Sequence, residues 1–434
     1  MENRNLLKGI VGLNYMKKVK FLVLGGGISG LSFCAFLSKL RNEQDYLIIE
    51  KESSVGGLCK SFYNNGFIWD YSGHFLHFKD NEMKKFIASI MPDQLETHQK
   101  KTRIYYKNQL ISFPFQQNIH QLPKDEFIDC LYDLYFRENK RNFKTFKEMV
   151  IGNYGEAISE KFLIPYNEKL YSCDLDSLDS DAMGRFFPHV EFSDIISNFK
   201  NGEYDSYNST FQYPKKGTMQ LVNSVLSLVS KEKILLNASA KKIDFDKKEV
   251  LLDNDEVISY DYLISTIPLN NFLNIASLEK NITLKYNRVL VFNFGFDKPS
   301  VFNDNWIYFP ENKYAFYRVG FYDNLHKASK MSLYVEVSFN KEDPIDVENY
   351  RGDVLNDLKK VGIIKDHNLI AENFVLMNPA YCHISKESKI FVSNLKKDLF
   401  DKSTFLLGRY AEWIYCSIED NMISARELVD RICK

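Results

Sequence analysis

No C-x-x-C pair occurs among the seven cysteines, at positions 34, 59, 130, 173, 382, 416 and 433, and their number is odd. That scatter implies neither a disulfide framework nor a zinc site, and it suggests a reduced, cytoplasmic chain. No apolar run reaches the roughly 18 residues that span a bilayer. The N-terminal MENRNLLKGIVGLNYMKK has too short and interrupted an apolar stretch for a signal peptide, and Met16 would serve equally as a start, leaving an arm before it. A net charge of −1 offers no basic excess to hold nucleic acid and no acidic character of the kind that keeps chains disordered. Internal repeats and low-complexity linkers are missing as well. What remains is ordinary globular composition, 45% hydrophobic and 26% charged, with a high aromatic share of 15%. At 434 residues the chain divides into two or three domains.

What is there begins at VLGGGISGLS, residues 23–32. An apolar run, Phe21 to Leu24, precedes the glycines, and Leu31, Cys34, Ala35 and Leu37 follow at helical spacing. In G-x-G-x-x-G terms Gly25 suits a tight turn, Gly27 close approach to a pyrophosphate, and Gly30 close helix–strand contact. Phosphates would meet the free N–H groups of the helix start, around Ile28 and Ser29. A second strand, DYLIIEK, ends in Glu50, twenty residues beyond Gly30, where a carboxylate can accept hydrogen bonds from ribose hydroxyls, with Lys51 beside it. Strand, spacing and acid together predict a dinucleotide site.

The text after Glu50 calls for a longer ligand than a nicotinamide dinucleotide. It carries a second glycine pair, Gly56 and Gly57, then Leu58, a hairpin-like NNGF and the segment YSGHFLHF. Helical, charged text then dominates from about 79 to 200, strand-like text returns at KILLNASAKKIDFD and DYLISTIP, and residues 284–337 read as an antiparallel sheet. The end, TFLLGRYAEWIYCSIEDNMISARELVDRI, is a strand, an irregular segment and a helix.

These stretches resemble the superfamily of flavin enzymes that includes amine oxidases, protoporphyrinogen oxidases and UDP-galactopyranose mutases. The resemblance covers nearly the whole chain and implies FAD, with Ala240 near the adenine and the C-terminal strand and helix returning to the flavin. The implied fold is α/β: a discontinuous Rossmann-like FAD-binding domain (17–80, 205–280 and 400–434), a helical substrate-binding insert (81–204) and an antiparallel β-sheet substrate domain (281–399).

Within that superfamily several features resemble UDP-galactopyranose mutases. YSGHFLHF resembles the glycine-histidine loop beside the isoalloxazine, with His74 and His77 in the two histidine places. Metal ligation by this His-x-x-His pair lacks a further ligand cluster, and a satisfied core histidine stays open for His77. In KFLIPYNEKLYSCDLDSLDSDAMGRFF, residues Phe162, Tyr166, Tyr171 and Arg185 hold the spacings of two uracil-stacking aromatics, a tryptophan and a diphosphate-binding arginine. An i, i+4 aromatic pair shares one helix face, and arginine's planar fork suits phosphate oxygens. Read alone, Phe162 and Tyr166 would be core, and Arg185 could pair with nearby aspartates. NPAYCHI resembles a diphosphate-contacting segment and nominates Tyr381; GRYAEWIY nominates Arg409 and Tyr415 on the flavin side; YNRVLVF nominates Arg288 as a second phosphate-binding arginine. Tyr171 departs from the tryptophan, and Ser417 stands where the mutases carry an aspartate.

The resemblance implies a ring contraction of a UDP-hexopyranose to the furanose, for cell-surface polysaccharide synthesis, in which reduced flavin N5 attacks the anomeric carbon and UDP leaves and returns. NAD(P)H would be the reductant, a UDP-sugar the substrate, and a homodimer the assembly. An FAD-dependent oxidoreductase of the amine oxidase or protoporphyrinogen oxidase type shares every cofactor motif and is the alternative.

Overall fold

Strand Lys17–Leu24 is enclosed from Phe21 to Leu24, because both faces of its sheet are covered and apolar side chains can be buried there without hydrogen-bond partners. The computed structural model describes residues 17–41, 45–137, 142–201, 209–278 and 282–433. The arm before residue 17 and the expected domain limits near 205 and 280 lie outside them. After the glycine turn, helix Ile28–Arg41 is buried from Ile28 through Leu37, as befits a helix pressed between a sheet and further helices. It returns the chain to strand Tyr46–Ile49, parallel to the first with Phe21 opposite Tyr46 and Leu24 opposite Ile49. Across the sheet the parallel strands run Thr404–Leu406, Val257–Ser265, Lys17–Leu24, Tyr46–Ile49 and Ile234–Leu235. The antiparallel pair Ala240–Asp244 and Glu249–Leu252 extends the sheet beside Val257. Helix Ile418–Ile432 packs on the first helix, so three separated stretches of chain build one α/β unit.

A second sheet of seven strands runs in the order Leu369–Met377, Asn287–Phe296, Ser332–Asn340, Arg318–Phe321, Trp306–Tyr308, Thr102–Tyr106 and Gln109–Ser112. Its pairs are antiparallel except Trp306–Tyr308 with Thr102–Tyr106. The strands at 102–112 stand within the stretch read from sequence as helical, next to helices Asn81–Ile90, Lys124–Phe136, Phe146–Tyr154 and Ile164–Tyr171. The period of two along each strand sorts the side chains. Leu290, Phe292, Phe294, Val319, Leu333 and Val335 pack together with Val354 and Leu358 of helix Val347–Lys360. The alternate positions, among them Val289, Val291, Trp306 and Tyr334, belong to the core on the opposite side, toward the helices and the first sheet.

Candidate functional site

One continuous cavity of about 1010 Å³ runs from the glycine turn to the second sheet. Gly25 has φ of +103°, and a Cβ there would lie 2.4 Å from Thr266 Oγ1, so the turn accepts only glycine. Gly27 differs: a Cβ there would meet nothing nearer than Gly57 Cα at 3.9 Å, and the space above it belongs to the cavity. Gly30 does not line the cavity; a Cβ there would be 2.1 Å from the Gly25 carbonyl oxygen, which fixes the helix tightly against the turn. Glu50 is buried yet lines the cavity, with Oε2 accepting from Gly26 N at 2.7 Å and Oε1 from Glu52 N at 2.9 Å. Each carboxylate oxygen keeps a second lone pair for a ligand hydroxyl. Ile28, Ser29, Lys51, Gly57, Leu58 and Ala240 line the same end. Open space over Gly27, the acid and the length of the cavity together fit a dinucleotide of FAD's size.

The C-terminal return supplies the next part of the wall. Ser417 caps helix Ile418–Ile432, accepting from Asp420 N at 3.1 Å, and its own N–H donates to Asp420 Oδ2 at 2.8 Å. Here the serine serves as the N-cap and satisfies the helix start directly. Arg409 lies over the rings of Tyr381, Tyr410 and Tyr415, at 5.3, 5.7 and 4.5 Å from their centroids. Tyr381 and Tyr415 stack at 6.1 Å. All of these residues line the cavity.

Arg185 comes from a short turn, Gly184–Phe186, and reaches the capping residues: it is 2.5 Å from Asp420 Oδ1 and 4.0 Å from Glu419 Oε2. The aspartates at 174, 176, 179 and 181 are not its ion-pair partners; the helix start is. Phe162 sits in a π-helical turn, Ser159–Leu163, and stacks on Tyr166 at 5.2 Å and 13°. On its other side it stacks on Phe115 at 5.2 Å. Both Phe162 and Tyr166 line the cavity while belonging to the core.

His74 and His77 line the cavity as well. His74 Nδ1 is 3.1 Å from the Ser72 carbonyl oxygen, and burial holds its imidazole below the ordinary value against the opposing pull of Asp70. Ser72 has φ of +147°, which side chains rarely adopt, and its hydroxyl donates to Glu336. Burial pushes His77 down to about 4, with the charge of Lys100 adding to the effect.

Besides Gly30, two nominated residues do not reach the cavity, Arg288 and Tyr171. Arg288 lies on the face of its strand shared with Leu290 and Phe292, turned away from the cavity, and its guanidinium donates to the Asn340 and Asp343 carbonyls. The one-residue offset decides the face. The guanidinium that this sheet does turn into the cavity is Arg318, which sequence reasoning missed. It faces Glu336 across the ladder, with contacts of 2.5 Å and 2.7 Å. Tyr171 is buried behind the wall, edge-on to Tyr381 at 5.6 Å and to His383 at 6.1 Å.

His383 gives the site's support a pH dependence. It is buried, bonds the Tyr171 carbonyl through Nε2 at 2.8 Å, and burial pushes it down to about 4. The folded state therefore binds its proton less readily than the unfolded chain, so stability is complete above pH 6.5 and falls as pH drops toward 4. The loss expected from this residue is up to about 3 kcal/mol. Urea titrations across that range should show a shallower slope for His383→Gln than for the parent; equal slopes would remove His383 as the cause.

Among the described residues, no helix is long and apolar enough to cross a membrane, and no group of three His, Cys, Asp or Glu could hold a metal ion.

The fold is similar to that of a UDP-galactopyranose mutase solved in its reduced form, with a TM-score of 0.88 and 24% identity over 96% of this chain and 95% of that one. A protein from Exiguobacterium sp. 255-15 described as a protoporphyrinogen oxidase aligns with a TM-score of 0.77 and 15% identity, over 96% of this chain and 98% of its own. An inactive all-trans-retinol 13,14-reductase from Danio rerio is 32% identical over 73 residues, 17% of this chain and 12% of that protein's length. The pattern of the flavin containing amine oxidoreductases matches residues 28–379. That span takes in most of the cavity wall, and the chain belongs to the flavin containing amine oxidoreductase family.

Proposed function

We propose that this flavoenzyme is a UDP-hexose mutase of the UDP-galactopyranose mutase kind, interconverting pyranose and furanose forms without net oxidation, in the service of cell-surface polysaccharide synthesis. The observation that carries this reading is the meeting of Arg185, Arg318 and Tyr381 in the cavity that also holds the glycine turn. Guanidinium groups at a buried wall suit a diphosphate, whereas an amine or an apolar ring gives them no partner. The likeness in fold to a UDP-galactopyranose mutase supports it.

Bound and reduced, with NAD(P)H as the source of electrons, FAD would supply the nucleophilic electron pair. The chain's own residues do the rest. Arg185, held at Asp420 where it lines the cavity, would offer its guanidinium to a leaving diphosphate. Arg318 is aimed by Glu336, and Tyr381 is braced from behind by Tyr171. His74, held at the Ser72 carbonyl, would position the flavin's reacting edge. Phe162 and Tyr166 touch each other at 5.2 Å, and a base sandwiched between two rings needs roughly 7 Å, twice a van der Waals contact. Uracil would therefore lie on the outside of the pair.

The test is flavin fluorescence titrated with UDP in oxidised and dithionite-reduced protein. Saturable binding selective for uridine diphosphates supports the mutase; silence to UDP ends it. Arg185→Ala should weaken UDP binding about ten- to hundredfold, the loss of one charge-assisted contact, and Arg185→Lys should recover only part. Because Arg185 touches the cap of the helix that lines the flavin end, FAD content must be measured in the same samples; unchanged UDP affinity in the alanine variant would count against the assignment.

The second reading, an FAD-dependent oxidoreductase, draws on the tyrosines at 166, 308, 381 and 415 that line the cavity. It requires stoichiometric oxidation of an amine or ring substrate with peroxide released, where the mutase consumes no reductant per turnover.

A further inference from the structure

The charges along the cavity wall are unevenly matched. Arg185 faces Asp420, Arg318 faces Glu336, and Lys51 and Lys60 stand near Glu52. Arg409 and Lys100 line the same cavity and form no ion pair among the described residues. Arg409 is on the side of the C-terminal return and is surrounded by tyrosine rings. Lys100 is on the substrate side, between strands Leu95–Gln99 and Thr102–Tyr106, with its ammonium 4.7 Å from the Phe113 ring centroid and 5.9 Å from that of Trp306. The rings stabilise a cation but supply no counter-charge.

The neighbours tell in the same direction. His77 and Arg185 line the cavity with Lys100, and the His77 ring feels the charges of both while the Thr210 backbone is its hydrogen-bonding neighbour. Burial brings Lys100 down to about 8, which leaves the ammonium form dominant at neutral pH. A half-buried ammonium against two rings, with no ion-pair carboxylate among the described residues, is a costly arrangement unless a ligand completes it.

Given a nucleotide-sugar substrate, we propose that Lys100 is a specificity residue for an oxyanion of that substrate. Its ammonium, set between Phe113 and Trp306, receives a phosphoryl or sugar carboxylate oxygen in the cavity that Arg185 also lines.

The experiment uses FAD-loaded parent, Lys100→Gln, Lys100→Met and Lys100→Arg, each titrated with uridine, UDP, a neutral UDP-hexose and a UDP-hexuronate. The glutamine and methionine variants keep the long side chain and remove the charge, and FAD content reports whether each has folded. The expected result is an about ten- to hundredfold loss of affinity in both, with uridine unaffected and part of the loss restored by arginine. A loss already present with UDP puts the oxyanion in the diphosphate; a loss confined to the hexuronate puts it on the sugar. Equal binding of every ligand by parent and variants overturns the role of Lys100 alone, as does an equal loss with uridine. A parent that binds none of them overturns the nucleotide reading and this assignment with it.

Discussion

Gly27→Val should purify as folded protein without flavin. The protein itself has room for the side chain, since the nearest atom to a new Cβ is Gly57 Cα at 3.9 Å. What the branched methyls would fill is the open cavity space over this glycine, where the proposed site would hold the pyrophosphate. Gly30→Val is the internal contrast: there the new Cβ would be 2.1 Å from the Gly25 carbonyl oxygen, so the strand–turn–helix unit cannot close and soluble protein should be lost. Circular dichroism, with absorbance near 450 nm for flavin, separates the two: Gly27→Val keeps the secondary structure and loses the colour. A Gly27→Val protein with its full complement of FAD would show that the cofactor does not pass over this glycine.

The contrast between the two glycines also marks how far the sequence could be read. The glycine turn, Glu50 and the second glycine pair are local: strand, turn and helix are contiguous, and their spacing carries the geometry. The α/β unit with its C-terminal return followed from the same kind of text. Strand parity is local too, but the resemblance at YNRVLVF did not use it: the arginine is one residue out of step with Val289 and Val291, which face the core on the opposite side of the sheet. The arginine that does reach the cavity had a signal available: Arg318 is a lone charge inside YAFYRVGFY, among residues that are nearly all buried. What no local pattern carries is which strands meet. Thr102–Tyr106 pairs with Trp306–Tyr308 some two hundred residues away, and only that pairing sets Lys100 against Trp306. A double lysine before a strand reads as a solvated end until the partner strand is known.

Arg318 itself leads to the second large effect, which concerns stability. Glu336 is fully buried, and Arg318 is its main counter-charge, with the Ser72 hydroxyl as a further donor. Removing one partner of such a pair leaves a buried charge unmatched and commonly costs about 3–5 kcal/mol, whereas replacing both by apolar groups of similar size is often nearly neutral. Arg318→Met should therefore be strongly destabilised to urea, and Arg318→Met with Glu336→Leu should recover most of the loss. The double variant remains short of a cavity guanidinium, so its UDP affinity should stay low even where its stability returns. Retaining such a pair at the cavity wall thus makes sense through aim rather than stability: Glu336 grips the guanidinium by two contacts and, through Ser72, ties it to the loop carrying His74. If the single variant is as stable as the parent, the pair is solvated or replaceable. If the double variant is no better than the single, Arg318 supports the wall by packing, and aiming by Glu336 is not its function.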